Sequence, residues 1–435
     1  MTSGCERPRM SGGPVAAVHP HEIKLHGDVR SDPYYYLADL NHIDTSHYMS
    51  AEQEFLEHKT AAWSSLRSEL ERELNEQLPT TTKTAPVIID GFEYVREVHA
   101  GSQYPRFMRR SSDRETREVV LDLNQLAADS SYFALGDFAI SPNNRIVAFT
   151  EDRKGDQRYT LRAYDMSEGR YLGLSVPDVA ASMAWRNDGQ LLYFSLSDRT
   201  VFETDLSGDD RAEIFIEPDR SFEVSLRQSR DRRYVVIASE NHNSTELRLV
   251  DGAGHPLIIS PRESGHRYRI RVLDDEYFIL TNRRGAGFEL ARASIDGGHW
   301  RYLVLPLTGE LQDFEVFTNH LVVQTRSGLG STIYIMDFGD GEMVEIARSS
   351  PGESVSLAAN PDVDSAGVRF QVSGYVTPEK LLEYDFNTGF AAVIAEENIA
   401  GLDDYVVEEK WFRGRDGTRV PVPLMYRKAK ASRPR

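Results

Sequence analysis

The chain has 435 residues, 40% of them hydrophobic and 27% charged, a composition that excludes an intrinsically disordered protein. This length predicts two or three domains, or one large repeat architecture. Acidic residues outnumber basic ones by 68 to 50, and the net charge of −18 argues against a nucleic-acid-binding protein, because phosphate contacts need clustered Lys and Arg. The charge is compatible with attraction of cationic peptides, although many globular proteins are simply acidic.

Cysteine content and hydropathy narrow the class further. Cys5 is the only cysteine, which excludes a disulfide within the chain and a zinc site built from cysteines. The first 20 residues, which we expect to form a flexible tail, lack the apolar core of a secretory signal. No run approaches the length of a membrane span. We therefore expect a cytoplasmic protein without membrane association.

The first predicted element is a helix from about Ser50 to Leu78, within an amino-terminal helical extension of residues 1–84. Ser50-Ala-Glu-Gln53 fits a capping box, and Pro79 ends the helix. Large apolar residues recur on one face and form a stripe: Leu56, Trp63, Leu66, Leu70 and Leu74. The stripe must pack on something, and its partner need not lie in this chain; left uncovered, it predicts self-association.

Strand-turn-strand units repeat through the next segment. Six equivalent positions recur at intervals of 45, 43, 43, 44 and 47 residues: Arg145, Gln190, Arg233, Glu276, His320 and Gly367. An earlier unit near Gly91 makes seven. Several repeats also carry a later strand that ends in an acidic turn, at Asp165, Asp251 and Asp337. A strand-filled repeat of this length predicts a seven-bladed β-propeller over residues 85–404. A pair of β-sandwiches or an open solenoid is the alternative, but a sandwich does not produce seven nearly equal periods.

The last predicted element is a hairpin over Trp411–Tyr426 with a turn at Asp416-Gly417. Such a hairpin, placed after a complete propeller, needs a sheet to join. We therefore interpret residues 405–435 as the start of a further domain, and the whole as a mainly β protein with an α-helical amino-terminal segment.

These pieces together resemble the prolyl oligopeptidase family of serine peptidases, and within it the oligopeptidase B group. The resemblance extends from about residue 22 to residue 427. It rests on motifs in a fixed order: His26-Gly27 through Tyr34-Tyr35-Tyr36-Leu37, Leu135-Gly-Asp-Phe138 with Ser141-Pro142, Ile279-Leu-Thr-Asn282 with Gly285-Ala286, Ser373 to Pro378, and Asp416-Gly417-Thr418 with Val420-Pro421. The chain departs from the family at Tyr36 and Ala38, where Trp and Arg are usual.

The resemblance implies a function for the chain as the amino-terminal propeller portion of such an enzyme. In the family a hydrolase domain follows, the amino-terminal segment packs on it, and the propeller restricts access so that short peptides enter. Resemblance to oligopeptidase B implies cleavage after Arg or Lys, with short cationic peptides as partners. Residues 405–435 then resemble a truncated start of the α/β-hydrolase domain, whose remainder is cut off, lost or supplied by a separate hydrolase chain. A stand-alone propeller that binds a protein or peptide partner is the alternative.

The catalytic residues of that family are not found in this sequence. A nucleophile elbow needs Gly-x-Ser-x-Gly, which occurs nowhere in the chain. Gly352-Glu-Ser354-Val-Ser356 lacks the second glycine and is interpreted as a turn between blades. In the family's order all three catalytic residues lie beyond residue 435, so we assign no catalytic residue and expect no peptidase activity from the chain itself.

Metal and phosphate motifs are also incomplete. His21 and His26 are five residues apart, whereas a zinc-binding helix needs four, and both are expected to be structural or solvated. Gly285-Ala-Gly287 and Gly328-Leu-Gly330 lack the rest of a phosphate-binding loop. The carboxylates of Asp403 and Asp404 are most simply solvated surface. We assign no metal-binding or cofactor-binding residue.

Overall fold

The computed structural model describes residues 12–77, 81–111, 113, 116–208, 210–397, 399 and 401–428. It divides into two compact units, Met1–Thr80 and Thr81–Arg435. Cys5, Pro79 and most of the basic carboxyl terminus lie outside the described residues. Among the described residues, no helix has the length and apolar content needed to cross a membrane.

The first unit begins with a hairpin of two strands, His21–Leu25 and Asp28–Asp32. Its turn consists of His26 and Gly27, both with positive φ, 52° and 82°. The 3-10 helix Tyr35–Ala38 precedes helix α1, Ile43–Thr60; a second 3-10 turn, Ala61–Trp63, then leads into helix α2, Ser64–Gln77.

The predicted start of the helix is wrong by seven residues. Helix α1 begins at Ile43, because His42 caps it by accepting the backbone N–H of Asp44 on its ring nitrogen at 3.2 Å. The buried Thr45 hydroxyl donates to the carbonyl of Tyr36 at 3.1 Å and holds this first turn in place. Ser50 therefore lies inside the helix and caps nothing.

The predicted apolar stripe is present, although the two α-helices that carry it are separated by a 3-10 turn. Its five residues are 48–63% exposed: Leu56, Trp63, Leu66, Leu70 and Leu74. Exposed side chains of this size are uncommon in such a row.

The second unit consists mainly of antiparallel sheets that follow one another along the chain, as in a β-propeller. The first sheet has five strands: Thr81–Lys83, Val87–Ile89, Phe92–His99, Arg106–Ser111 and Glu118–Asp122. The short helix α3, Leu123–Ala127, follows it. The long sheet has seven strands: Ala134–Ile140, Ile146–Asp152, Tyr159–Asp165, Arg170–Trp185, Leu191–Ser195, Thr200–Thr204 and Arg211–Ile216.

Four sheets of four strands follow the long sheet. The third sheet contains Glu223–Gln228, Val235–Glu240, Thr245–Val250 and Pro256–Ile258. The fourth contains Tyr268–Leu273, Glu276–Thr281, Glu289–Ser294 and Arg301–Tyr302. The fifth contains Glu310–Val316, His320–Ser327, Gly330–Asp337 and Met343–Arg348. The sixth contains Glu353–Leu357, Gly367–Gly374, Lys380–Asp385 and Ala391–Glu396.

The propeller prediction is confirmed, but the count of seven separate blades is wrong. Five sheets have the four or five strands of a single blade, whereas the repeats at Arg145 and Gln190 share the long sheet. The cause is the 16-residue strand Arg170–Trp185, which pairs with Tyr159–Asp165 on one side and with Leu191–Ser195 on the other.

The phase of the repeat is confirmed. Each of the six equivalent residues lies at or within two residues of the start of the second strand of its repeat, and Gly91 immediately precedes Phe92–His99, the third strand of the first sheet. The interval between Gly91 and Arg145 is 54 residues, longer than the 43 to 47 of the other repeats, because helix α3 is inserted between the first sheet and the long sheet.

Buried apolar clusters join each sheet to the next. Leu192 and Val201 of the long sheet, for example, share one cluster with Val224 and Ile237 of the third sheet. Similar clusters join the first sheet to the long sheet, the third to the fourth, the fourth to the fifth and the fifth to the sixth. Packing of this kind arranges blades around a common interior. Side chains from the first strands of the fourth and fifth sheets, and from the turn after the first strand of the third sheet, meet one another there.

The recurring acidic turns have a structural role. Asp165 accepts backbone N–H groups of Ser167 and Glu168 at 2.9 and 3.0 Å, and Asp337 accepts that of Gly339 at 2.6 Å. An aspartate at the end of a strand thus accepts the backbone N–H groups for which the tight turn offers no other acceptor. The Arg145 guanidinium also donates to Asp165 at 2.8 Å, and it holds the pKa of that carboxyl well below its ordinary value.

The carboxyl-terminal hairpin pairs Tyr405–Arg413 with Arg419–Arg427, and among the described residues these two strands form a sheet of their own. Its turn matches the prediction, since Asp416 accepts the N–H of Thr418 at 3.0 Å and Gly417 has a φ of 85°. The hairpin is not free of the propeller. A Cβ on Gly352 would collide with Val407, so the hairpin lies against the start of the sixth sheet.

Candidate functional site

The motifs singled out in the sequence lie in ordinary β-structure. Ser354 and Ser356 belong to the first strand of the sixth sheet, where Ser354 pairs with Ser373; only Gly352 is in a turn. The segment is therefore a strand start rather than the inter-blade turn that we predicted. A strand followed by a strand cannot form the strand-to-helix elbow that a serine nucleophile requires.

The histidine and glycine motifs are also placed in turns or strands. His21 opens the first hairpin and stacks on Tyr35 with ring centroids 4.0 Å apart, whereas His26 forms its turn. Gly285-Ala-Gly287 and Gly328 lie in turns between neighbouring strands of one sheet. Among the described residues, no group of three or more His, Cys, Asp or Glu side chains could hold a metal ion.

Charged side chains meet where the first strands of the sheets face the interior. In the third sheet, Val224 and Leu226 are buried in the core between sheets, whereas Arg227, the next residue along the strand, is exposed. In the fourth sheet, Ile270 alternates in the same way with two arginines, Arg269 and Arg271. Successive side chains of a strand point to opposite sides, so apolar packing on one side leaves the charged residues on the other.

Glu315, on the first strand of the fifth sheet, is the centre of this charged group. It accepts two hydrogen bonds from the Arg271 guanidinium, at 3.1 and 3.0 Å. It also accepts one from Arg230 at 2.8 Å. Asp313 lies two residues earlier, 3.5 Å from Arg269. We call these residues the interior cluster: Arg227, Arg230, Arg269, Arg271, Asp313 and Glu315.

The turn between the first two strands of the third sheet reaches sheets that are not its neighbours. From this turn Arg230 donates to the carbonyl of Val316 at 2.7 Å and to that of Asp362 at 3.0 Å, 132 residues away. Arg232 forms an ion pair with Asp90, in the first sheet. The turn therefore ties the first, third, fifth and sixth sheets together at one end of the propeller interior.

The arginines of the interior cluster differ in the direction in which their pKa values are shifted. Desolvation acts to lower the pKa of Arg271, but attraction and hydrogen bonding by Glu315 outweigh it, and the pKa is raised. For Arg230 desolvation wins over Glu315, and the pKa is lowered. The pKa of Arg227 is lowered by desolvation and by repulsion from Arg271. Arg227 remains accessible to water nonetheless, as expected for a side chain that lines a confined cavity.

A cavity of about 280 Å³ lies beside this group. Its lining includes Arg227, Arg230, Arg271 and Glu315, together with the apolar Val236 and Ile270. None of these residues was predicted from the sequence as part of a site. The available signal was the alternation Tyr-Arg-Ile-Arg-Val at 268–272, in the first strand of a repeat whose phase was already known.

The whole propeller segment matches a known protein family. A model described as the amino-terminal β-propeller domain of prolyl oligopeptidase matches residues 14–397. Dipeptidyl aminopeptidase BI of Pseudoxanthomonas mexicana is 28% identical, over 95% of this chain and 62% of its own length. Protease 2 of Moraxella lacunata is 25% identical, over 95% of this chain and 63% of its own.

Solved structures show the same fold. Oligopeptidase B from Leishmania major aligns with a TM-score of 0.88 at 20% identity, covering 96% of this chain and 65% of that chain. Oligopeptidase B from Trypanosoma brucei aligns with a TM-score of 0.86 at 22% identity over the same shares. The chain thus spans less than two thirds of the length of these relatives. It belongs to the prolyl oligopeptidase family, and the part of that family it carries is the amino-terminal β-propeller.

Proposed function

We propose that this chain is the non-catalytic, substrate-selecting part of an oligopeptidase B-like serine endopeptidase. The observation that carries the proposal is the charged interior of the propeller, where the turn that bears Arg230 and Arg232 connects sheets that are not neighbours. An interior that is closed by ion pairs between non-neighbouring sheets can admit a short extended peptide and reject a folded protein.

The two ends of the chain support a role beside a catalytic domain. The exposed stripe on helices α1 and α2 offers apolar surface to a partner, and the carboxyl-terminal hairpin has strand edges that a larger sheet could use. We accordingly propose residues 1–84 as a segment that packs on a hydrolase domain, 85–404 as the propeller and 405–435 as the start of that domain, in the same chain or a separate one.

We further propose short peptides with Arg or Lys as the substrates, and the cytoplasm as the location. Support for the substrates comes from the similarity to oligopeptidase B and from the net charge of −18, which favours encounter with cationic peptides. Without a nucleophile elbow, this chain cannot form a serine acyl-enzyme.

The first test is an assay of the purified chain on chromogenic peptides that end in Arg. We expect no turnover; turnover that survives repurification and is blocked by a serine-reactive phosphonate would contradict the non-catalytic role. Reading the DNA beyond codon 435 supplies the second test. An open reading frame with Gly-x-Ser-x-Gly supports the proposal, whereas its absence there and elsewhere in the operon favours a stand-alone binding module.

The third test concerns selection by size, in the enzyme expressed from the whole reading frame. Arg232→Ala removes the ion pair with Asp90, so we expect faster cleavage of long unfolded substrates relative to a short Arg-peptide. Arg220→Ala is the control, because Arg220 is exposed and makes no hydrogen bond or ion pair with another described residue. An unchanged ratio in Arg232→Ala would remove the basis for a gate at this turn.

A further inference from the structure

The cavity at the interior cluster has more positive than negative charge. Three arginines line it, Arg227, Arg230 and Arg271, and the carboxylate of Glu315 is the acidic group among its lining residues. Arg230 and Arg271 share that carboxylate, so the positive charge of the cavity exceeds the negative charge by two. Asp313 lies 3.5 Å from Arg269 and 3.9 Å from Arg271, and counting Asp313 together with Arg269 leaves the excess of positive charge at two.

Arg227 is the arginine that this network does not satisfy. Within the described part of the chain, its guanidinium makes no hydrogen bond and no ion pair, although Arg269 and Arg271 lie close enough to repel it. Glu240 attracts it more weakly than Arg271 repels it. A second donor is also unused: the buried Nε of Arg230 has no hydrogen-bond partner among the residues that the structure describes. The buried, unpaired Nε of Arg230 costs free energy that a bound anion would recover, and the exposed guanidinium of Arg227 is available to contact that anion.

We propose that the cavity between the third and fourth sheets is an oxyanion-binding site, in which Arg227 supplies the principal contact. The guanidinium fork of arginine matches carboxylate and phosphate, since both present two oxygens to two parallel N–H groups. The 280 Å³ holds such a group with water around it, given that a water molecule takes about 30 Å³. The ligand is either the terminal carboxylate of a peptide or a phosphate group. This site does not depend on the proposed peptidase role.

The experiment measures thermal unfolding and calorimetric binding of the 435-residue chain in chloride buffer. The probes are inorganic phosphate, a short acetylated alanine peptide with a free carboxyl terminus, and the same peptide amidated. We expect saturable stabilisation by phosphate, by the acid peptide or by both, and none by the amide. Phosphate alone identifies a phosphate site, the acid peptide alone identifies a peptide terminus, and both together identify the shared chemistry.

Arg227→Gln should weaken binding at least about tenfold, the loss expected for one hydrogen bond to a charged group. It should also raise the melting temperature in the absence of ligand, because it removes repulsion from Arg269 and Arg271. Arg220→Gln is the matched control; it should bind as the unaltered chain does and should report the general salt effect of phosphate.

Arg227→Lys provides a check that is independent of folding defects, since it keeps the charge and loses the fork; it should bind more weakly than arginine and more strongly than glutamine. The proposal is overturned if no probe stabilises the unaltered chain, or if Arg227→Gln is stabilised as strongly as Arg220→Gln. A lower melting temperature of Arg227→Gln without ligand would equally contradict it, because Arg227 would then have a compensating partner.

Discussion

Glu315→Gln tests the contribution of the interior cluster to stability, because Glu315 pairs with both Arg230 and Arg271. The side chains of Glu315, Arg230 and Arg271 are 11%, 15% and 21% exposed, so water screens the network weakly. Removing one partner of a buried pair costs about 3–5 kcal/mol, because the remaining charge is left without compensation. Arg230 keeps two backbone carbonyls as acceptors, at 2.7 and 3.0 Å. Arg271 keeps the carbonyl of Ile270 at 3.2 Å and the more distant Asp313 at 3.9 Å, so Arg271 should account for most of the loss.

Urea unfolding followed by tryptophan fluorescence measures this loss. Glu310→Gln, on the same strand but exposed, should stay within about 0.5 kcal/mol of the unaltered chain. Adding Arg271→Met to Glu315→Gln should recover part of the stability, because the uncompensated charge is removed. If Glu315→Gln costs less than about 1 kcal/mol, or if Arg271→Met deepens the loss, the charged network contributes little and the reasoning is refuted.

Three further predictions concern other parts of the chain. The pKa of Asp165 is depressed, so its contribution to stability is complete above the ordinary value of about 3.9 and is lost as pH falls below it; acid unfolding of Asp165→Asn should show a correspondingly shallower pH dependence. Leu66→Gln with Leu70→Gln should reduce self-association and binding of hydrophobic dye, whereas equal dye binding would mean that the stripe is not the sticky surface. Gly352→Ala should destabilise by more than Gly341→Ala in chemical unfolding: both glycines have positive φ, worth about 1–2 kcal/mol, but only the former meets the carboxyl-terminal hairpin.

The sequence predicted those features that local patterns encode. Alternation of apolar residues and turn residues fixed the phase of the repeat at Gly91 through Gly367, and Asp416-Gly417 fixed the last hairpin turn. The start of helix α1 was missed because an unusual cap, His42, replaces the common ones. The interior cluster was missed for a different reason: its contacts join residues as far apart as Arg230 and Asp362, and no local period reports such a contact.

The strand Arg170–Trp185 has a consequence for the local unfolding of the protein. In repeat proteins whose units contact only their neighbours, each unit can fray with its own local free energy. Here one continuous strand is hydrogen bonded in both directions, and Trp185 at its end donates from its buried indole to the carbonyl of Ala139 at 3.0 Å. Loss of either half would leave the other with an unpaired edge. Residues 134–216 should therefore exchange their amide hydrogens as a single cooperative unit, twice the size of those around it.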